Sequence, residues 1–410
     1  MAKVAILGFG TVGTGVAEIL MQNASLLHKR TGQAMELAAI LVRTMRPHPL
    51  QHLFVQSMEE ILSHPQITLV VECMGGTTAA YPYVKEALST GRSVVTSNKE
   101  LVACHGAELI QIAKEQGCAF LFEASVGGGT PIITPMFQSL CPGGIDKIAG
   151  ILNGTTNFML TCMEQMDMDF AKALHLAQQK GYAETVDPSD DVDGKDAARK
   201  LAILASMAWG SEVSPSQIST CGIGQVTPFD FQCVHKMGHT IKLLAWADKM
   251  DDQLRGAVEP VIVQKNSQLG QVNDAYNGVQ ISTQYAADVL FYGQGAGKYA
   301  TANAVVADLV LALQAGSSVH RLLSWEKAVK PQPLKPWDEP SAYYVHTKDV
   351  PASMLKSLFG EGELLLEQDG HCGYLADCLT PEQLDKAKER LANEPGELMQ
   401  ILRKVHLEQN

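Results

Sequence analysis

The chain opens with a short apolar run, Val4-Ala5-Ile6-Leu7, that leads straight into Gly8-Phe9-Gly10-Thr11-Val12-Gly13. Apolar positions at Val16, Ile19 and Leu20 follow at helical spacing. Strand, glycine turn and helix in that order is the setting in which glycines bring a pyrophosphate against the backbone and the helix N-terminus. Further apolar runs at 37–42, 67–71, 93–96 and 119–122 alternate with helical stretches such as 83–90 and 106–116. Repeated strand and helix alternation implies an α/β fold, a parallel sheet covered by helices on both faces.

The rhythm changes near residue 140. Pro142-Gly143-Gly144 breaks the pattern, a strand is expected at 148–152, and helices are expected at 156–164, 170–180 and 196–209 around a polar, acidic turn at 181–195. Runs near 255–265, 279–285 and 287–292 suit an antiparallel sheet, and 300–313 reads as a long apolar helix. Prolines at 331, 333, 336 and 340 mark a linker, and a compact set of about 70 residues follows, with strands near 342–346, 363–367 and 373–375 and helices at 352–359 and 381–391. A length of 410 residues suits two or three domains. The net charge of −12, with no long basic run, disfavours nucleic acid and anionic membrane as partners. No uninterrupted apolar stretch reaches the ~18–20 residues of a membrane helix, and nine scattered cysteines without a CxxC pair suit reduced thiols in a cytoplasm.

Several stretches carry possible chemistry. The second strand lacks the acid that usually holds the ribose of NAD; Arg43 stands there with Arg46 nearby, which suits the 2′-phosphate of NADP, or else a solvated surface. Lys99, after the strand at 93–96, sits at the carboxyl edge of the sheet, placed to contact a cofactor or polarise a carbonyl. The glycine-rich loop from Glu123 to Pro131 could hold a phosphate or a hard cation through its oxygens, or serve as a tight crossover. Asp191, Asp193 and Gly194 imitate part of a calcium loop, but its closing acid falls on Lys200, so that reading fails. The alternative is a substrate site, with carboxylates for an ammonium group and Asp196 and Lys200 at i, i+4 on one helix face, where a lysine can give up a proton. The plain alternative is a surface ion pair worth ~0.3–0.5 kcal/mol. His235 and His239 share the same spacing without the acid of a zinc motif.

Taken together, GFGTVG, the SNK at 97–99, EASVGGGTPI from Glu123, ILNGTTNFML from Ile151, GYAE at 181–184, the run from Asp187 to Lys200 and GAGxxxTAxAVVADL from Gly295 resemble the homoserine dehydrogenases over about residues 1–320. That resemblance implies reversible reduction of L-aspartate 4-semialdehyde to L-homoserine with NADP or NAD. Lys200 corresponds to the proton donor, Asp196 to the residue positioning it and the substrate, and Lys99 to a group beside nicotinamide and substrate. Glu184 and Asp191 hold the ammonium end, and Asn153 and Thr156 line the substrate pocket. Gly8, Gly10, Thr11, Val12 and Gly13 carry the pyrophosphate, Arg43 stands near the ribose, and Gly181 and Gly297 close over the cofactor. Carbonyls of Glu123, Val126, Gly128 and Thr130 match a structural sodium site.

The implied organisation is a Rossmann-type NAD(P)-binding domain at 1–140 with a helix within 300–325 packing back on it, an α+β catalytic and dimerisation domain at 141–327, a linker at 328–341 and an α+β domain at 342–410. That last part resembles the ACT regulatory module, in degenerate form: Asp349-Val350-Pro351 is followed by Ala352 where a glycine is usual. The implied protein is a cytoplasmic homodimer, with further association possible through the C-terminal modules, acting on a small molecule. Thr185-Val186 adds one residue to the loop after Glu184, which disturbs the placement of Glu184 but not of Asp191, Asp196 or Lys200. A silent amino-acid sensor has no need of the Asp196 and Lys200 pair, and aspartate-semialdehyde dehydrogenase requires a catalytic cysteine motif that this chain lacks.

Overall fold

The computed structural model describes residues 1–250, 253–329 and 333–407. They divide into two compact units, one built from 1–145, 199–215 and 293–331, the other from 146–198, 216–292 and 332–410.

The first unit holds a six-stranded sheet of β1 (Ala2–Leu7), β2 (Met35–Leu41), β3 (Phe54–Val55), β4 (Ile67–Glu72), β5 (Ser93–Thr96) and β6 (Phe120–Leu121). All neighbours are parallel, in the order β3-β2-β1-β4-β5-β6. Val4, Ala5, Ile6 and Leu7 are fully buried, as a strand covered on both faces requires. Strand order reverses between β1 and β4, and both strands run directly into glycine turns, so the loops after them flank the switch point where open α/β sheets bind ligands. The helix Thr11–Gln22 turns Gly13, Val16, Ala17 and Leu20 inward. The late helix Lys298–Ala315 packs against it, with Lys298 Nζ 2.7 Å from Glu18. Lys298–Arg321 is the one helical stretch among the described residues long and apolar enough to cross a membrane. Its Ala302, Val305, Asp308 and Leu309 are buried within this unit, as in the core helix of a globular domain.

The second unit is organised on a ten-stranded mixed sheet. Its strands are β7 (Ile145–Ile151), β8 (Ser219–Thr220), β9 (His239–Met250), β10 (Gln253–Gln264), β11 (Tyr276–Thr283), β12 (Ala287–Gln294), β13 (Ser341–Lys348), β14 (Gly362–Gln368), β15 (His371–Leu379) and β16 (Glu397–Lys404). They run β12-β11-β7-β9-β10-β16-β13-β15-β14, with β8 beside β10. The C-terminal part has strand, helix, strand, strand, helix, strand connectivity and the order β14-β15-β13-β16, which is the ferredoxin-like arrangement. It has its own apolar core, including Val345, Leu355, Phe359, Tyr374 and Leu391, yet β16 pairs in parallel with β10, Val261 opposite Arg403, so both parts share one sheet. The described residues of the proline-rich stretch before β13 lie along β10: Lys335 bridges to Arg255, and Leu334 is buried.

His235 and His239 do not share a helix. Gly238, at φ +72°, ends the helical path after Pro228–Lys236, and His239 opens β9. His235 instead meets Glu164 at 2.7 Å.

Candidate active site

In the first unit the glycine turn after β1 is tightly built. At Gly13 a Cβ would fall 2.2 Å from the Gly8 carbonyl oxygen, and Gly8 itself has φ +93° with Cys73 O close by. At Gly10 the same atom would meet nothing within 4 Å. The turn is therefore closed on its protein side and open on the other, and Gly10 caps the helix Thr11–Gln22 with no side chain over its N-terminus. Free backbone N–H groups, the positive helix end and no acid in the first turn make an anion cradle there. Arg46 reaches the same turn: its Nη2 donates to the Phe9 carbonyl at 2.8 Å, and its guanidinium lies over the Phe9 ring. Arg43 is exposed, and its carbonyl accepts a bond from the Gln56 side chain.

At the end of β4 stands a residue to which the sequence reading gave no role. Glu72 is fully buried; its carboxylate accepts from the Met74 N–H at 2.6 Å and from the Thr96 hydroxyl at 2.5 Å. Burial holds its pKa above the usual carboxylate range, with the Thr96 bond working against the shift. It ties the turns after β4 and β5 together. Asn98 does the rest: its Oδ1 caps the helix Lys99–Glu115 by accepting from Leu101 N–H at 3.1 Å, and its Nδ2 donates to Gly76 O at 2.6 Å. Lys99 is thereby the first residue of that helix, half-buried at the carboxyl edge of the sheet. Burial, reinforced by the Glu72 charge, pushes the Cys73 thiol up to about 12, so it stays protonated and is no nucleophile at neutral pH.

The loop from Glu123 is a folded crossover. The Glu123 carboxylate accepts three backbone N–H bonds, from Ile132, Ile133 and Thr134 at 2.6, 2.9 and 2.7 Å. Its own N–H donates to Asp308 Oδ2 at 2.8 Å. Asp308 is buried, and desolvation, with Glu123 nearby, raises its pKa well above the normal value. Gly128 sits at φ +57°, where a Cβ would be 2.2 Å from the Gly295 carbonyl oxygen. The glycines of this loop are thus required by the approach of the segment before Lys298–Ala315. The buried Thr130 hydroxyl has no hydrogen-bond partner among the described residues. Val126 is buried as well, and Gly297 is the N-cap of that helix.

The second unit gathers the polar residues of its two motifs around Asn153, the N-cap of the helix Gly154–Met166. Asn153 Oδ1 accepts from Thr156 N–H at 2.8 Å and from the Thr156 hydroxyl at 2.9 Å. With its oxygen so fixed, its Nδ2 donates to Asp191 Oδ1 at 2.6 Å and Asp196 Oδ2 at 2.8 Å. Two carboxylates held on one amide concentrate negative charge, which favours an ammonium group. Behind them Asn157 donates to the carbonyls of Val272, Asp274 and Tyr276, and so anchors the loop that backs the helix. Asp196 lies in the first turn of the helix Lys195–Trp209 and is 3% exposed; Lys200, counted with the first unit, follows one turn later on the same helix and is 9% exposed. Both are too buried for the surface ion-pair reading. Glu184 does not join this cluster: it is exposed, and its carbonyl accepts from the Gln178 side chain. Gly181, at φ +74°, terminates the helix Phe170–Gln179.

Comparison with known proteins agrees with both motif sets. Residues 131–310 match the family model for homoserine dehydrogenase, and residues 8–123 match the model for homoserine dehydrogenase, NAD binding domain. The chain is 36% identical over 386 residues to the homoserine dehydrogenase of Lactococcus lactis subsp. lactis, covering 90% of both proteins. Among solved structures it is similar to a homoserine dehydrogenase from Thiobacillus denitrificans, with TM-score 0.87, 30% identity, and coverage of 99% of this chain and 98% of that one. A hyperthermophilic archaeal homoserine dehydrogenase in complex with NADPH matches 76% of this chain and 97% of that one, with TM-score 0.65 and 27% identity. The chain therefore belongs to the homoserine dehydrogenase family and is an NAD(P)-dependent oxidoreductase.

Proposed function

We propose that this homoserine dehydrogenase reduces L-aspartate 4-semialdehyde with NADPH, Lys200 supplying the proton. The observation that carries the reading is the Asn153 amide holding Asp191 and Asp196 together, one helical turn before a buried lysine. The two carboxylates bind the substrate ammonium and fix the substrate's orientation; Asp196 also positions Lys200. The bound nicotinamide supplies the hydride. Lys200 holds its Nζ proton for the aldehyde oxygen, stabilises the negative charge that develops there, and releases the proton as the alcohol forms. Lys99, at the carboxyl edge of the parallel sheet, contacts the nicotinamide side of the site. Thr156 holds the Asn153 oxygen, while Glu184, exposed as it stands, contributes by closing over the ammonium.

Gly8, Gly10, Thr11, Val12 and Gly13 form the pyrophosphate cradle, and Arg46, with Arg43, selects the 2′-phosphate of NADP; the Arg46 bond at the turn supports that preference. Gly181 and Gly297 close over the cofactor. A monovalent cation, sodium, is held by the carbonyls of Glu123, Val126, Gly128 and Thr130; the partnerless Thr130 hydroxyl supports an oxygen-lined site on that loop. The role of such an ion is structural, outside the hydride transfer. The C-terminal ferredoxin-like part is an ACT-like module, and the protein works as a homodimer through its large sheet, whose edge strand β12 leaves Tyr292 exposed. Nine free cysteines support a reducing, cytoplasmic setting.

The reading is tested by absorbance at 340 nm with L-aspartate 4-semialdehyde. Consumption of NADPH with formation of L-homoserine is expected; a pure, folded chain that oxidises neither NADPH nor NADH with this substrate rejects it.

A further inference from the structure

Strand β9 carries a charge where its neighbours are apolar. Lys242 is 1% exposed, between Ile241 and Leu243, which are buried too. Its ammonium donates to Val272 O at 2.5 Å, to Asn273 Oδ1 at 3.0 Å and to Asn157 Oδ1 at 3.4 Å. All three are neutral oxygens. A buried cation with no carboxylate against it costs the fold stability, and an apolar side chain would fill this strand position without that cost. The lysine therefore calls for a role other than stability.

What it holds is the loop from Val272 to Tyr276, which is seated on the start of the helix Gly154–Met166. Asn157 Nδ2 donates to the carbonyls of Val272, Asp274 and Tyr276. The Thr161 hydroxyl accepts from Asp274 N–H at 3.0 Å, and Asp274 itself stands at φ +56°, in the left-handed region. Just past the loop, Asn277 Nδ2 donates to Leu152 O at 3.2 Å. A Cβ at Gly154 would fall 2.8 Å from the Ala275 carbonyl oxygen. Leu152 and Gly154 flank Asn153, so the loop fixes the backbone on either side of the amide that holds Asp191 and Asp196. Asn157 follows Asn153 by one helical turn, its N–H on Asn153 O at 3.3 Å. Contact from Lys242 to Asn153 thus runs by two routes, through Asn157 and through the loop.

We propose that Lys242 is a positioning residue for the substrate-ammonium site: its charge clamps the 272–276 loop against the helix and so sets the Asn153 amide on which Asp191 and Asp196 converge. The proposal rests on the reading of those carboxylates as the ammonium site. Charge matters here through the number of hydrogens. An ammonium serves all three oxygens, whereas a neutral amine has two hydrogens and turns a lone pair on the third. Burial brings the Lys242 pKa down to about 8; Glu164 of the helix and Asp274 of the loop draw it up, and Lys265, just after β10, draws it further down. The clamp is complete at neutral pH and loosens above about pH 8.

The KM for L-homoserine at saturating NADP, followed from about pH 7 to about pH 9.5, tests this in the wild type, Asn273→Asp and Lys242→Met. In the wild type KM is expected to climb above about pH 8. Asn273→Asp keeps the shape of the side chain and puts a carboxylate on the ammonium; it is expected to leave KM at neutral pH unchanged and to move the climb upward by about one pH unit or more. Lys242→Met is expected to raise KM about tenfold or more at neutral pH, with kcat within about threefold of wild type. The substrate's own ammonium titrates alike in all three proteins, and a lysine that serves the fold alone produces none of these differences. A climb at the same pH in wild type and Asn273→Asp, or a folded Lys242→Met with the wild-type KM at neutral pH, overturns the proposal. A wild type that oxidises no L-homoserine rejects the catalytic reading, and this proposal with it.

Discussion

Asn153 directs both hydrogens of its amide at carboxylates, 2.6 Å to Asp191 and 2.8 Å to Asp196, while Thr156 holds its oxygen. Asn153→Ala removes the donor the two acids share and lets them repel. The KM for semialdehyde is expected to rise about tenfold or more, with a lower melting temperature, since a bond to a charged group is worth ~1.5–3 kcal/mol; steady-state kinetics beside a thermal melt check this. An unchanged KM contradicts the ammonium role. At this scale the sequence was uneven. Asp196 and Lys200 stand out because four-residue spacing puts them on one helix face. Glu72 and Asp308 do not stand out, because a lone acid inside an apolar run looks like a strand end or a solvated helix position. Only burial, which raises the pKa of both, marks them as structural acids. Glu184 illustrates the reverse: motif position suggested a ligand, and the folded chain leaves its side chain exposed.

Among the elements, the glycine turn is the most constrained. A methyl group at Gly13 would stand 2.2 Å from the Gly8 carbonyl, well inside contact distance. Gly13→Ala is therefore expected to push the turn open and weaken NADPH binding about tenfold or more, read by nucleotide fluorescence titration, and to cost stability within the ~1–3 kcal/mol range of overpacking. Binding at wild-type strength contradicts the cradle. Five strands of the parallel sheet were legible because each is a short apolar run closed by a turn; β3, two residues long, was too short to show a pattern. β9 was not. Its His-Thr-Ile-Lys-Leu-Leu-Ala-Trp-Ala lacks two-residue alternation because every one of these positions is buried, Lys242 included, so no pattern separates it from a helix. β16 also escaped notice, since its burial comes from β10 and β13, far away in sequence.

For the molecule as a whole, Lys242 predicts the alkaline limb of stability. Burial lowers its pKa from 10.5 to about 8, while its ammonium donates to Val272 O at 2.5 Å and Asn273 Oδ1 at 3.0 Å. Between about pH 8 and 10.5 the unfolded chain carries a proton here that the folded chain has released, so this residue makes stability rise with pH across that window. The full gain is about 3 kcal/mol, and below pH 8 the burial penalty is fully present. The urea midpoint at about pH 9.5 minus that at about pH 7.5 should be more positive in the wild type than in Lys242→Met; an equal difference in both contradicts the assignment. Lys200 is the group on which the proposed reaction turns, and the most direct measurement is the rate of NADPH oxidation with L-aspartate 4-semialdehyde for Lys200→Ala, with NADPH affinity measured alongside. The prediction is a loss of ~10²–10⁴ in kcat at unchanged NADPH affinity. A folded variant that keeps kcat within about tenfold of wild type contradicts the assignment of the proton donor.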